Sequence, residues 1–419
     1  MAVPSLRLYE RGLEVIEGRG TAVGFIFLAQ PHLRHAEQFE CPLALEAAIR
    51  REARLFHLLH LAAHHVLLVE RENWRAAAAF GGIRIPWLDH CAVRLPGSIT
   101  MKPFTHLVLL AGLLFADSPL MAAPAADADC DVEIGPEYKD APELNPGPDV
   151  PRGKVTEFTM DSKDSKLFPG LTGPYMRKCA VYVPSQYKTG APAAFMVVQD
   201  GMGYVKKLTA SLDSLIAAKK LPVIAAVFLN SGGGDSKGSE RGLEYDTVSG
   251  HYTDFIETEV LPRASKEGSV TFTKDPEGRA SMGGSSGAAC AFTMAWFHPE
   301  LYRRVLSYSG TYVAQESPDN PKSPHGAWEY HENFIPKSPA KPIRIWLHVS
   351  EKDNGWNKDE KSYHNWVMAN QRMAAVLKAK GYHYRYVFSK ASGHVDGRVV
   401  SATLPDALLW LWKGYTPKS

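Results

Sequence analysis

Lysine is missing from the first 100 residues, although it is frequent from Lys102 onward. That opening stretch carries Arg, Ala and His instead. One domain under one selection rarely changes its basic residue so abruptly, so the two parts are read separately. Cysteine is also sparse. The five residues Cys41, Cys91, Cys130, Cys179 and Cys290 lie far apart. They form no CxxC pair and no Cys/His metal spacing, which leaves buried free thiols as the default. Excess charge of one sign is lacking too: 47 basic against 45 acidic residues give a net +2. There is therefore no basic footprint for nucleic acid and no acidic tail. No apolar run reaches the ~20 residues of a membrane span. Gly232–Gly234 lacks the GK[ST] ending of a phosphate cradle. No cofactor and no metal is implied. What remains is ordinary for a soluble globular protein, with 45% hydrophobic and 22% charged residues.

Met101 opens a recognisable pattern: Lys102, the apolar run Leu107–Ala116, then small residues through Met121-Ala122-Ala123-Pro124-Ala125-Ala126. A positive start, a short apolar run and an Ala-rich end describe a secretory leader. We therefore expect a signal peptide over 101–126 and export to the periplasm or medium, with no stable membrane insertion after its removal. Residues 1–100 are then upstream sequence read in frame from a true start at Met101. The alternative is a genuine extension, for which Leu55–Val69 supplies one helix; its His57, His60, His64 and His65 have no carboxylate pattern beside them.

Residues 127–152 are rich in Pro, Asp and Glu without periodicity and read as a linker. From 153 to 417 strands and helices alternate. Lys178–Val183, Ala193–Gln199, Val223–Leu229, Arg279–Met282, Val305–Ser309, Ile343–Val349 and Tyr384–Ser389 are strand-like. Leu208–Ala218, His251–Ala264, Ser286–Phe297, Trp366–Lys380 and Leu404–Gly414 are helical. Apolar strands alternating with helices predict one α/β domain whose mostly parallel central sheet has helices on both faces.

Gly283-Gly284-Ser285-Ser286-Gly287 fits G-x-S-x-G, with a strand before it and a helix after it. A tight strand–turn–helix holds a serine hydroxyl out from the fold, and small residues on either side let the backbones pass. A second register, with Ser281 as nucleophile, puts bulky Arg279 where the turn needs a small residue. The base is expected after the last strand, which points to His394 in Ser392-Gly393-His394. The acid is expected after the strand before that, at Asp353, with Glu351 and Asp359 as alternatives. The order Ser285, Asp353, His394 is that of a serine hydrolase on such a sheet. The oxyanion needs two preorganised donors. Ser286 N–H at the helix start supplies one. The loop Asp200-Gly201-Met202 supplies the other, Met202 N–H first and Gly201 next. Trp356, Tyr363 and Trp366 lie just past the acid, where aromatic faces could stack on an aryl or sugar group; core packing is the other reading of Trp366.

With these residues placed, the chain resembles the enterochelin-esterase-like (esterase D) branch of the α/β-hydrolases over about 153–415. The resemblance rests on VYVPSQY (181–187), MVVQDGMGY (196–204), RGLEYDTVSGHYTDFIETEVLP (241–262), RASMGGSSGAACAFTMAW (279–296), NWVMANQRMAAVLKAKGY (365–382), SGH (392–394) and LPDALLWLW (404–412). It implies a serine triad on Ser285, Asp353 and His394, a DG loop at Asp200-Gly201, and Glu244-Tyr245-Asp246 along the cleft edge. Asp200, Glu244, Tyr245 and Trp366 are the expected substrate-binding residues. Two departures stand out. The acid turn reads Val349-Ser350-Glu351-Lys352-Asp353 without the usual Asp-Gly, and Ala288 replaces a second glycine after Gly287. The expected activity is carboxylic-ester hydrolysis through an acyl-enzyme, on a siderophore ester, a feruloyl or acetyl carbohydrate, or a small ester. An acyltransferase with the same triad and a catalytically silent binding protein remain as alternatives.

Overall fold

The computed structural model describes residues 129–417. The extension 1–100 with its histidines, the leader 101–126 and the first two residues of the expected linker lie outside the described residues.

Among the described residues, ten strands build one sheet: β1 Asp131–Ile134, β2 Lys154–Asp161, β3 Met176–Val183, β4 Pro192–Gln199, β5 Ile224–Leu229, β6 Thr271–Phe272, β7 Arg279–Gly284, β8 Arg304–Tyr308, β9 Arg344–Lys352 and β10 His383–Gly393. The order is β1-β10-β9-β8-β7-β4-β5-β3-β2, with β6 beside β4. Every neighbouring pair from β1 to β5 along that path is parallel, whereas β5–β3 and β3–β2 are antiparallel. This is the α/β-hydrolase arrangement: a mostly parallel sheet with an antiparallel flank. β4 and β5 are apolar along their length because both faces are covered, and Ala194 to Val198 and Ile224 to Leu229 are almost fully buried.

The helices are α1 Val205–Ala217, α2 Glu240–Tyr245, α3 His251–Phe255, α4 Leu261–Gly268, α5 Ser286–Phe297, α6 Ile335–Lys337, α7 Trp366–Ala379 and α8 Gly397–Trp412. One apolar cluster lies under α3, α4, α5 and α7; a second, on the opposite face, packs α1 and α8. α5 is buried on all sides from Ser286 to Trp296, which explains why its sequence shows no polar face. The helix expected over His251–Ala264 is interrupted by a π-segment, Ile256–Val260. A second π-segment, Tyr330–Phe334, precedes α6. Each runs into a helix with proline at its second residue, Pro262 or Pro336. A ring without an N–H breaks the i→i−4 ladder, and the backbone widens one step earlier.

Two expectations need correcting. The strand before Ser285 extends to Gly284, beyond the expected Met282. The segment read as a linker is also not free. β1 pairs in parallel with β10, from Asp131 opposite Tyr386 to Ile134 opposite Ser389. Cys130 is buried, and Ala141 N–H donates to Ser401 O at 3.0 Å. A four-residue strand is too short to show alternation, and the open edge of β10 supplies its hydrogen bonds. Among the described residues, no helix is long and apolar enough to cross a membrane.

Candidate active site

Parallel strands aim their carboxyl ends at one edge, so loops after different strands converge there. Ser285 follows β7, Ser309 to Thr311 follow β8, Asp353 follows β9, His394 follows β10, and Asp200 follows β4. Backbone strain gathers at the same edge. Asp200, Ser285, Ser309, Ala391 and Val395 all have φ between 46° and 57° without being glycine. Such residues cost roughly 1–3 kcal/mol each and persist where surrounding contacts hold them.

Ser285 has φ 57° and ψ −127° in the sharp turn from β7 into α5. Its backbone is saturated: the N–H donates to Tyr308 O at 2.9 Å, and the carbonyl accepts from Ala288, Ala289 and Thr311 N–H. Gly283 is required by close approach, since a Cβ there would lie 2.3 Å from the Gly287 carbonyl carbon. The structure brings Ser285, His394 and Asp353 together. Ser285 Oγ is 2.8 Å from His394 Nε2, and His394 Nδ1 is 2.5 Å from Asp353 Oδ1. Ser281, the competing serine, is fully buried and donates to Ala291 O at 2.8 Å.

Asp353 is 1% exposed. Burial alone pushes its carboxyl up, but the hydrogen bonds from His394, Ser309 and Asn354 outweigh it, and the net direction is down. Ser309 Oγ donates to Asp353 Oδ2 at 2.6 Å, while Ser350 and Asn354 N–H donate at 3.2 and 2.8 Å. An ionised carboxylate only accepts, so the imidazole proton sits on Nδ1 and Nε2 is left bare to accept from Ser285. Ser309 Oγ also accepts Val395 N–H at 3.1 Å, tying the acid to the histidine loop. Beneath that loop, His348 Nε2 lies 2.7 Å from Ser389 Oγ; burial lowers its imidazole to about 4, which keeps it neutral. Glu351, an alternative acid, points elsewhere and accepts Ala391 N–H at 2.8 Å. Asp359, the other, accepts Ser362 N–H at 3.1 Å in a turn of its own.

The expected oxyanion donors are placed less simply. Ser286 is the first residue of α5, where an N–H has no acceptor within the helix. The Asp200 loop is pinned from three sides. Asp200 N–H donates to Tyr245 Oη at 3.2 Å, Arg241 Nε and Nη2 hold its carboxylate at 3.2 and 2.7 Å, and Met202 N–H donates to Asn230 Oδ1 at 3.2 Å. Contrary to expectation, the Met202 N–H is therefore engaged by a side chain rather than open. Gly201 is buried against β5, where a Cβ would meet Leu229 N and Phe228 Cα at 2.7 Å.

Two expected substrate residues are also corrected. Glu244 and Tyr245 do not edge the cleft; each is 1% exposed. Glu244 accepts from Arg177 Nη1 and Nη2 at 2.6 and 2.9 Å, from Tyr175 Oη at 2.6 Å and from Gly232 N–H at 3.0 Å. Periodicity marks neither as inward because α2 is only six residues long. Both Asp200 carboxylate oxygens are taken by Arg241, and Trp366 is 7% exposed with its ring edge-on to His394 at 6.2 Å. Trp356, at 52% exposure, is the aromatic that stands free near the acid. Sequence reasoning missed Ser309, Thr311, Asn230 and Arg241. The first two follow β8 at the same edge as the serine, which was the signal available.

The model of a family described as “Putative esterase” matches residues 174–411. No sequence match to a curated protein was found. Among solved structures, the enterobactin esterase of Shigella flexneri in the presence of enterobactin is 20% identical at TM-score 0.45, covering 64% of this chain and 62% of its own. This chain thus spans less than two thirds of that protein. A ferulic acid esterase is 18% identical at TM-score 0.47, covering 63% of this chain and all of its own. The feruloyl esterase module of Clostridium thermocellum complexed with sinapinate is 16% identical at TM-score 0.45, over 68% and 96%.

Proposed function

The chain belongs to the Esterase family of carboxylic ester hydrolases, and on that footing we propose that it works through an acyl-enzyme on Ser285, with His394 as base and Asp353 as its orienting acid. The observation that carries this reading is the continuous line from Ser285 Oγ to His394 Nε2 and from Nδ1 to Asp353 Oδ1, at 2.8 and 2.5 Å.

His394 accepts the Ser285 proton as Oγ attacks the ester carbonyl, then returns it to the leaving alcohol. Asp353 holds the imidazole tautomer and stabilises the transient imidazolium. Ser286 N–H and a donor from the Asp200–Met202 loop receive the oxyanion, each contributing roughly 3 kcal/mol of barrier lowering. In this reading the substrate oxygen shares or replaces Asn230 Oδ1 as acceptor of the Met202 N–H. Water then hydrolyses the acyl-enzyme by the reverse sequence. Candidate substrates are siderophore esters, feruloyl or acetyl groups on carbohydrates, and small esters. The leader read over 101–126 supports export to the periplasm or medium.

A fluorophosphonate probe and a p-nitrophenyl acetate assay test the mechanism together. The wild type should be labelled and active, and Ser285→Ala should be neither. Asp353→Asn should lower kcat by about 10⁴-fold, because the imidazole takes the wrong tautomer. An unlabelled, inert wild type, or labelling that survives Ser285→Ala, overturns the reading.

A further inference from the structure

Ser285 Oγ has a second polar neighbour. Thr311 Oγ1 lies 3.3 Å away, and the Thr311 N–H is bonded to Ser285 O at 3.1 Å, so the two residues are fixed to each other through the backbone. Thr311 is 1% exposed. On its far side, Trp366 Nε1–H reaches Thr311 Oγ1 at 3.2 Å.

Donor chemistry sets the direction of this chain. An indole N–H only donates, so Thr311 Oγ1 is an acceptor toward Trp366. The threonine's own proton is then free to point at Ser285. Ser285 spends its proton on His394 Nε2, because Nδ1 is committed to Asp353. Four hydrogen bonds thus share one polarity: Trp366 to Thr311, Thr311 to Ser285, Ser285 to His394, His394 to Asp353. At 3.3 Å the Thr311 contact is long for an O–H···O bond, as bonds to a reacting atom often are before charge develops on it.

Resting on the reading of Ser285 as nucleophile, we propose that Thr311 is a further catalytic residue, whose hydroxyl donates to Ser285 Oγ, and that Trp366 is the positioning residue that aims it. Thr311 transfers no proton. As the Ser285 proton moves to His394, negative charge grows on Oγ before the carbon–oxygen bond is complete, and the Thr311 O–H lies against it. When the acyl-enzyme breaks down, the bond between the acyl carbon and Oγ cleaves, and the same O–H supports the departing oxygen until His394 reprotonates it. Ser285 Oγ uses one lone pair for attack and one to accept from Thr311, so the two roles do not compete.

Burst and steady-state kinetics on p-nitrophenyl acetate test this with Thr311→Val, Thr311→Ser and Trp366→Phe, each checked for folding by thermal melting. Valine keeps the shape and removes the hydroxyl. Hydrogen bonds to charged groups are worth enough that acylation and deacylation rates should each fall about 10- to 100-fold with KM nearly unchanged. Thr311→Ser should recover most of both rates, and Trp366→Phe should fall between. Wild-type rates in Thr311→Val, or a serine variant as slow as the valine one, overturn the proposal. If Thr311→Val does not fold, Trp366→Phe decides: an unchanged acylation rate overturns the chain. An inert Ser285→Ala beside an unaffected Thr311→Val removes this inference alone, whereas an active Ser285→Ala removes the reading beneath it.

Discussion

Asp246 caps the C-terminal end of α2 and is 4% exposed, yet it lacks the partners that Asp353 has. Gln315 Nε2 donates to its Oδ2 at 3.2 Å, while Oδ1 has no hydrogen-bond partner among the described residues. Burial pushes its carboxyl up from the ordinary 3.8 to about 7, against the pull of Arg241 and Gln315. The folded state therefore binds this proton more tightly than the unfolded chain. As pH rises from about 4, the unfolded chain ionises first, and stability is lost until the folded group titrates near 7. At about 1.4 kcal/mol per unit, that window is worth at most roughly 4 kcal/mol. Asp246→Asn keeps the shape and never ionises, so it removes this loss. Urea unfolding of both proteins from pH 4.5 to 8.5 isolates the term, because other titrating groups cancel in the difference. The variant should gain on the wild type steadily across the window, by about 2–4 kcal/mol at pH 8. A difference that stays flat with pH, or that shrinks toward alkaline pH, refutes the reasoning.

Two further outcomes follow from geometry. In Gly283→Ala, a Cβ meets the backbone of Gly287 at 2.3–2.4 Å, so the crossing of β7 and α5 must open. Soluble protein should lose about 3 kcal/mol or more and nearly all esterase activity, while Gly233→Ala, with nothing within 4 Å of its Cβ, should match the wild type in both; an active, stable Gly283→Ala contradicts the close-approach account. Arg177 and Glu244 form an ion pair with side chains 3% and 0% exposed. Arg177→Met alone should cost about 3–5 kcal/mol by stranding a buried carboxylate, and adding Glu244→Leu should recover much of it in urea midpoints; a double variant no better than the single one would mean the pair is a net stabiliser.

What could be read in advance was whatever the chain encodes locally. β4 and β5 are short apolar runs, α5 follows a Gly-Ser turn, and Asp353 and His394 directly follow strands whose composition marks them. The meeting of Asp353 with His394 was legible without the usual Asp-Gly, because position after β9 matters more than the residues of the turn. β1 escaped because its four residues have no pattern of their own and exist as a strand only through the edge of β10. The resemblance implies a cleft position for Glu244, and nothing local in a short helix contradicts it; its burial depends on Arg177 and Tyr175, 67 and 69 residues away. The bond that engages the Met202 N–H is hidden for a related reason. The acceptor of its N–H, Asn230, belongs to the next strand's loop, and nothing in either segment announces the pairing.

The missed residues share a physical role that bears on how this edge functions. Ser285 at φ 57°, Asp353 beside the serine of another strained turn, and a loop starting at αL Asp200 are each unfavourable alone. None would hold its geometry on local preference. Ser309 links Asp353 to the His394 loop, Thr311 links Ser285 to α7 through Trp366, and Arg241 with Tyr245 fixes Asp200. Each strained turn is thus bonded to a different strand's loop, so no one of them can relax without dragging a second. Rate enhancement by preorganised dipoles requires that the donors not reorganise as charge develops. In the proposed mechanism, cross-linking between loops supplies that stiffness where the sheet itself ends, and each link joins residues far apart in sequence.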